Sequence, residues 1–217
     1  MTGRYHNIDD LPATLPVFPL TGVVLLPRGQ LPLNVFEPRY LAMVDAALAG
    51  SRLIGMIQPT EHEEKTLKPE LSSVGCAGRI SAYRETDDGR YLITLTGICR
   101  FRWVEELVAD TAFRQVRADF ARFAGDLAMA EDAEFPRDRL LTALKLYLSR
   151  RDMKADWQSV MSAPAETLVN ALSMLCPFEP TEKQALLEAR GWEERVAILV
   201  ALLEMSGIAP AGPASVN

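Results

Sequence analysis

Histidine is scarce in this chain, and its scarcity removes much enzyme chemistry at the outset. Only His6 and His62 occur, and neither has, by spacing, the partner that a general base or a metal ligand needs. His62-Glu63-Glu64-Lys65-Thr66 starts like a zincin helix but carries threonine where the second histidine would stand, so a solvated loop is expected there. Cysteine is nearly as rare. Cys76, Cys99 and Cys176 are odd in number and include no CxxC pair, which excludes a disulfide framework and suits a reducing compartment. Cys99 and Cys176 lie within apolar patterns and read as core, whereas Cys76, between Gly75 and Ala77, is the one thiol with a case for reactivity. Neither common form of glycine-rich phosphate loop is present. Long hydrophobic runs are missing too. The longest, Val196 to Leu203, has eight residues, against about 20 for a spanning helix. The opening MTGRYHNIDDLPATLP has no apolar signal-peptide core. A soluble cytoplasmic protein, not a membrane protein, is expected.

Basic charge is also in deficit. The net charge is −6, and neither half is basic: residues 1–120 carry 13 basic and 15 acidic side chains, residues 121–217 carry 10 and 14. A general nucleic-acid binder needs a basic field, so nucleic acid is not the expected partner. Carboxylate pairs at Glu63-Glu64, Asp87-Asp88, Glu105-Glu106 and Glu193-Glu194 are sequence neighbours. Adjacent residues point to opposite strand faces and do not stack on a helix, so these pairs read as solvated surface rather than acid–base couples. Arg100 and Arg102 alternate with Phe101 and Trp103. Stacking on RNA needs both types on one surface, and the alternation separates them, with the aromatics assigned to a core under a polar outer face.

What is present is apolar pattern. Leu15-Pro16-Val17-Phe18-Pro19-Leu20 reads as an edge or first strand, because proline cannot donate to a ladder. Leu31 to Phe36 alternates with period two, and from Glu37-Pro38 the period becomes helical through Tyr40, Met43, Val44, Ala47 and Leu48, with Gly50 just past the end. Leu53 to Ile57 is a compact buried strand. Gln58 to Ser72 reads as a long surface loop. Val74–Arg84 and Tyr91–Val104 form a hairpin across Asp87-Asp88-Gly89, and Phe113–Phe120 is one further strand. Helical patterns follow: one after Phe135-Pro136, a short turn at Asp156–Met161, and one opened by Pro164 with Leu168, Leu172 and Leu175 aligned. Another is capped by Thr181 with Gln184, and the last runs from Trp192 to Met205. Strands followed by helices indicate an α+β chain. The expected divisions are a loosely held arm at 1–13, a β-rich subdomain at 14–124, a helical subdomain at 125–206 and a disordered tail at 207–217.

Several of these segments also carry a resemblance. Phe18-Pro19-Leu20, Phe36-Glu37-Pro38-Arg39-Tyr40, Arg52 to Gln58, Val74-Gly75-Cys76-Ala77, Gly97 to Phe101, Lys183 to Glu188 and Arg195 together resemble the amino-terminal, substrate-binding domain of Lon proteases. The likeness spans residues 15 to 206, with Cys76 standing where threonine is expected. It implies a PUA-like β-barrel followed by a helical bundle, and protein quality control as the setting. Full-length Lon proteases add an ATPase and a serine–lysine peptidase, and neither fits in this chain. The expectation is a stand-alone, non-catalytic module with no cofactor or metal. It binds unfolded or partner polypeptide and is served by a protease acting in trans. Unfolded chains pair with exposed apolar area or an open sheet edge, which makes Phe18, Pro19, Pro32 and Phe36 the candidate contact residues. An RNA-binding PUA-like protein is the alternative, and a small enzyme ranks behind both.

Overall fold

The computed structural model describes residues 5–60, 68–128 and 135–206. His62, seven of the fifteen residues of the expected 58–72 loop (61–67) and the expected 207–217 tail lie outside those residues. The chain divides into two compact units, Met1–Met129 and Ala130–Asn217, and it is mixed α+β.

The first unit is built on one six-stranded sheet: β1 (Thr14–Pro19), β2 (Gln30–Val35), β3 (Leu53–Pro59), β4 (Leu71–Glu85), β5 (Tyr91–Glu106) and β6 (Gln115–Asp119), with helix α1 (Pro38–Ala49) between β2 and β3. The strand order is β2-β5-β4-β3-β1-β6, and β6 pairs in addition with β5. Five strands therefore close a ring of pairings, β5-β4-β3-β1-β6 and back to β5. The length of β5 makes this possible. One of its edges runs along β4; the other takes β2 at Tyr91–Thr96 and then β6 at Arg102–Glu106.

Gly97 marks the change between those two partners. Its N–H donates to Gly29 C=O at 2.9 Å and its C=O accepts from Arg28 N–H at 2.8 Å. A Cβ here would sit 2.0 Å from Leu26 C=O, so only glycine lets the Pro27–Gly29 turn come this close. Val24, Leu25 and Leu26 are buried without joining a strand. The hairpin expected at Asp87-Asp88-Gly89 forms, with Gly89 at φ +77°.

Two expectations need correction in this unit. The arm is not wholly loose: Ile8–Asp10 form a 3-10 turn in which Asp10 accepts from the His6 and Asn7 N–H groups at 2.7 and 3.0 Å, and Leu11 is buried. Nor does Arg100 belong to a polar outer face. It is 3% exposed and grips Asp126 through Nε at 2.9 Å and Nη2 at 2.8 Å, over the Phe123 ring at 4.4 Å. The 3-10 segment Ala121–Leu127 covers that part of β5, a cover that strand alternation cannot foresee.

The second unit holds α2 (Arg137–Arg150), α3 (Trp157–Ser162), α4 (Ala165–Leu175), α5 (Pro180–Glu188) and α6 (Trp192–Ser206). Leu140, Leu144, Tyr147 and Leu148 recur at helical spacing on α2 and share one apolar cluster with Val196, Leu199 and Leu203 of α6. The inward face of α4 is rotated from the expected one. Leu168, Val169 and Ser173 are buried while Leu175, the last helical residue, is 77% exposed. The cap of α5 also differs. Glu179, not Thr181, precedes the helix, and its N–H donates to Glu182 at 2.8 Å, because Pro180 fits the first helical position. Asp156 caps α3 by accepting from the Gln158 and Ser159 N–H groups.

Candidate functional site: a groove between two strand ends

The pairing ring leaves two strand segments without a neighbour on one side. β1 pairs with β6 only through Thr14–Pro16, and with β3 through Val17–Pro19. On the side away from β3, its last bond runs from Val17 N–H to Arg114 C=O at 2.9 Å. β2 pairs with β5 alone among the described residues. A groove of about 750 Å³ lies between the β1 and β2 segments, lined by Val17–Pro19 of β1, Leu33–Val35 of β2, the start of α1 and residues 106–109 and 111–114.

Its floor is aromatic. Phe18 is 7% exposed and its ring lies 4.3 Å from that of Tyr40, the third residue of α1. Burial pushes the Tyr40 phenol above its ordinary pKa, against the opposing charge of Arg39. Phe36 is different: it is 60% exposed, with the Arg90 guanidinium over its ring at 5.7 Å. Val108, also on the lining, is fully exposed.

Charge is confined to two fixed sets. Arg114 grips Glu106 with Nε at 3.0 Å and Nη2 at 2.9 Å and donates Nη1 to Pro69 C=O at 2.7 Å, while Lys68 reaches Glu106 at 3.2 Å. Burial alone would push the Glu106 carboxyl up. The hydrogen bonds from Arg114 and Lys68 outweigh it and hold the group below the usual carboxylate range. On α1, Arg39 holds Glu37 at 2.8 Å. Gln58, 1% exposed, anchors the rim by accepting from Gly22 N–H at 2.8 Å. Gly22 is at φ +72°, which closes the turn after Leu20 over β3.

Three of the four candidate residues thus come together: Phe18, Pro19 and Phe36 line this groove. Pro32 does not. It is exposed on β2 and borders a separate shallow depression with Tyr83 and Arg84. Gln58, Arg114 and Glu106 were missed by sequence reasoning, since a lone buried glutamine and charges from separate segments carry no local signal. The Cys76 thiol is fully buried and is no accessible nucleophile. Burial pushes Cys99 up to about 12 and Cys176 up to about 11. Among the described residues, no group of three or more His, Cys, Asp or Glu stands together as a metal set. No helix among them is long and apolar enough to cross a membrane.

The profile of the ATP-dependent protease La (LON) substrate-binding domain matches residues 14–205. The chain belongs to the Lon substrate-binding domain family. It is 27% identical over 211 residues to Lon protease 2 of Myxococcus xanthus and 24% identical over 197 residues to the Lon protease of Flavobacterium johnsoniae. These alignments cover 91% and 87% of this chain but 24% of each relative, so the chain spans about a quarter of their length. Among solved structures it is similar to the Lon N-terminal domain protein from Xanthomonas campestris, with TM-score 0.59 and 23% identity over 88% of this chain and 98% of that one. The N-terminal domain of the Mycobacterium avium complex Lon protease gives TM-score 0.59 at 18% identity, over 89% and 97% of the two chains. Those two likenesses speak for the fold alone.

Proposed function

We propose that this chain is a non-catalytic module that captures polypeptide, as an unfolded segment or as part of a partner protein, in the groove between β1 and β2. The observation that carries this reading is membership, over residues 14–205, of a family described as substrate-binding. The groove supports it physically. An exposed aromatic beside a buried aromatic floor offers apolar area to an unfolded chain. The charged groups of the lining are held in ion pairs that fix its walls, which suits recognition better than proton transfer. Phe18, Pro19 and Phe36 are the contact residues of this reading. We take the closed ring of strands as a PUA-like barrel over residues 14–124 and the helices of 125–206 as a bundle. The setting is cytoplasmic protein quality control, with degradation left to a protease acting in trans.

The test is fluorescence anisotropy of a labelled, permanently unfolded polypeptide titrated with the protein, beside a labelled RNA. Saturable binding of the polypeptide alone is expected. Binding of RNA alone, lost as salt rises, would overturn the reading in favour of an RNA-binding protein.

A further inference from the structure

The free edge of β2 runs into the groove, and its backbone chemistry can be worked out atom by atom. Gly29 stands opposite Gly97 by extension of the Gln30↔Thr96 register, and Gly97 N–H donates to Gly29 C=O. In an antiparallel ladder the peptide groups of successive residues alternate between the two sides. Leu31, Leu33 and Val35 therefore turn their peptide groups toward β5, and Gln30, Pro32 and Asn34 turn theirs away. Pro32 falls on an outward position, the place where a strand tolerates the loss of an N–H. Gln30, Pro32 and Asn34 are also the exposed residues of the strand.

The outward edge is thus asymmetric. Asn34 offers both N–H and C=O, and Pro32 offers C=O alone. Across the groove, Phe18 is turned toward β3, since Leu20 N–H donates to Ile57 C=O at 3.0 Å. Pro19 then faces the groove without a donor. A proline on each facing edge blocks continuous ladder growth between copies of the chain, one of the ways native sheets guard their edges. Next to the groove, the groups left unmet among the described residues are an acceptor–donor–acceptor set, Pro32 C=O, Asn34 N–H and Asn34 C=O. Its complement is the backbone of another extended segment. The apolar groove begins at the same residues, because Leu33, Asn34, Val35 and Phe36 line it.

We infer that a client polypeptide is held as an added strand on the outer edge of β2, hydrogen-bonded to Pro32 and Asn34, with an apolar side chain reaching past Phe36 into the groove. This rests on the polypeptide-binding reading and adds its mode. Recognition is then of backbone and of one apolar side chain, so it tolerates many sequences but requires an extended conformation. It excludes segments with proline at the paired positions.

The probe is a short fluorescein-labelled peptide alternating valine and threonine around one phenylalanine. Two further versions carry N-methyl groups on one or the other alternate set of residues. The expected result is saturable binding of the parent, loss of about tenfold in affinity for one methylated set, and little change for the other. Asn34→Pro should weaken the parent by about tenfold as well, because it removes the edge donor that borders the groove while leaving the ladder to β5 intact. Circular dichroism and urea unfolding would report whether that variant keeps its fold, and the methylated peptides test the pairing without altering the protein. Equal binding of all three peptides to the wild-type chain would overturn strand addition while leaving polypeptide binding in place, even if Asn34→Pro binds less. Failure of both the peptide and the unfolded polypeptide to bind would overturn the two together.

Discussion

Phe36→Ala separates binding from folding, because most of that ring is already in water. A phenylalanine side chain presents roughly 200 Å², and Phe36 is 60% exposed, so about 120 Å² is available to a client. At about 25 cal/mol per Å², full cover of that area amounts to about 3 kcal/mol, and half cover to about 1.5 kcal/mol. Truncation should therefore raise the dissociation constant for an unfolded polypeptide by about tenfold. The buried remainder, about 80 Å², contributes about 2 kcal/mol to folding, and the contact to Arg90 about 0.5 kcal/mol more. Phe18→Ala is the contrast. That ring is 7% exposed and stacked on Tyr40, and its loss should destabilise the first unit by about 3 kcal/mol or more. Anisotropy titrations and urea unfolding of both variants supply the comparison. Binding by Phe36→Ala within twofold of wild type would refute the groove as the contact surface, and so would a stability loss as large as that of Phe18→Ala.

Three other perturbations test the interior. Asp126→Ala leaves the buried Arg100 guanidinium without its carboxylate and should lower unfolding free energy by about 3 kcal/mol, read from the urea midpoint; a loss under about 1 kcal/mol would show that the Phe123 ring suffices. Because Glu106 is held below the usual carboxylate pKa, its contribution to stability is full above the ordinary carboxyl range of the unfolded chain. It is lost as pH falls through the lower folded value, so wild type should lose more stability than Glu106→Gln on acidification, and parallel pH–stability curves would contradict this. The Tyr147 hydroxyl is buried without a hydrogen-bond partner among the described residues. Tyr147→Phe should therefore be neutral or stabilising by up to about 1 kcal/mol, and a clear drop in thermal midpoint would reveal a partner.

Local chemistry in the sequence carried much of the fold. Asp87-Asp88-Gly89 marked its hairpin because a tight turn needs glycine at positive φ, and Pro38 marked a helix start because its missing N–H group is free there anyway. What stayed illegible depends on distant segments. Periodicity puts Phe18 and Phe36 in apolar runs alike, yet one is sealed by Tyr40 and the other projects into solvent. Arg100 sits on the face that alternation assigns to water, and only the return of the chain at 121–127 buries it. Leu175 fits the helical stripe of α4 but falls on its last residue, where the chain turns away. The groove itself is a product of two registers, β1 on β6 and β2 on β5, and neither leaves a trace in the local pattern. Pro32 was singled out as an apolar contact, whereas its place on β2 gives it a backbone role at the free edge.

The pairing of β1 with β6 also sets a schedule for assembly. Leu15 lies opposite Val116, a closure of about a hundred residues whose entropy must be met before the contact stabilises anything, so it should form late. On the ribosome, β1 would emerge early and wait while α1 and the β3–β4–β5 meander form behind it. One wall of the groove would then acquire its final position only after the Gln115–Asp119 strand has been made. Until then β1 stays an unsealed apolar strand, and the groove proposed to hold polypeptide is itself, during synthesis, an exposed apolar segment in need of a partner.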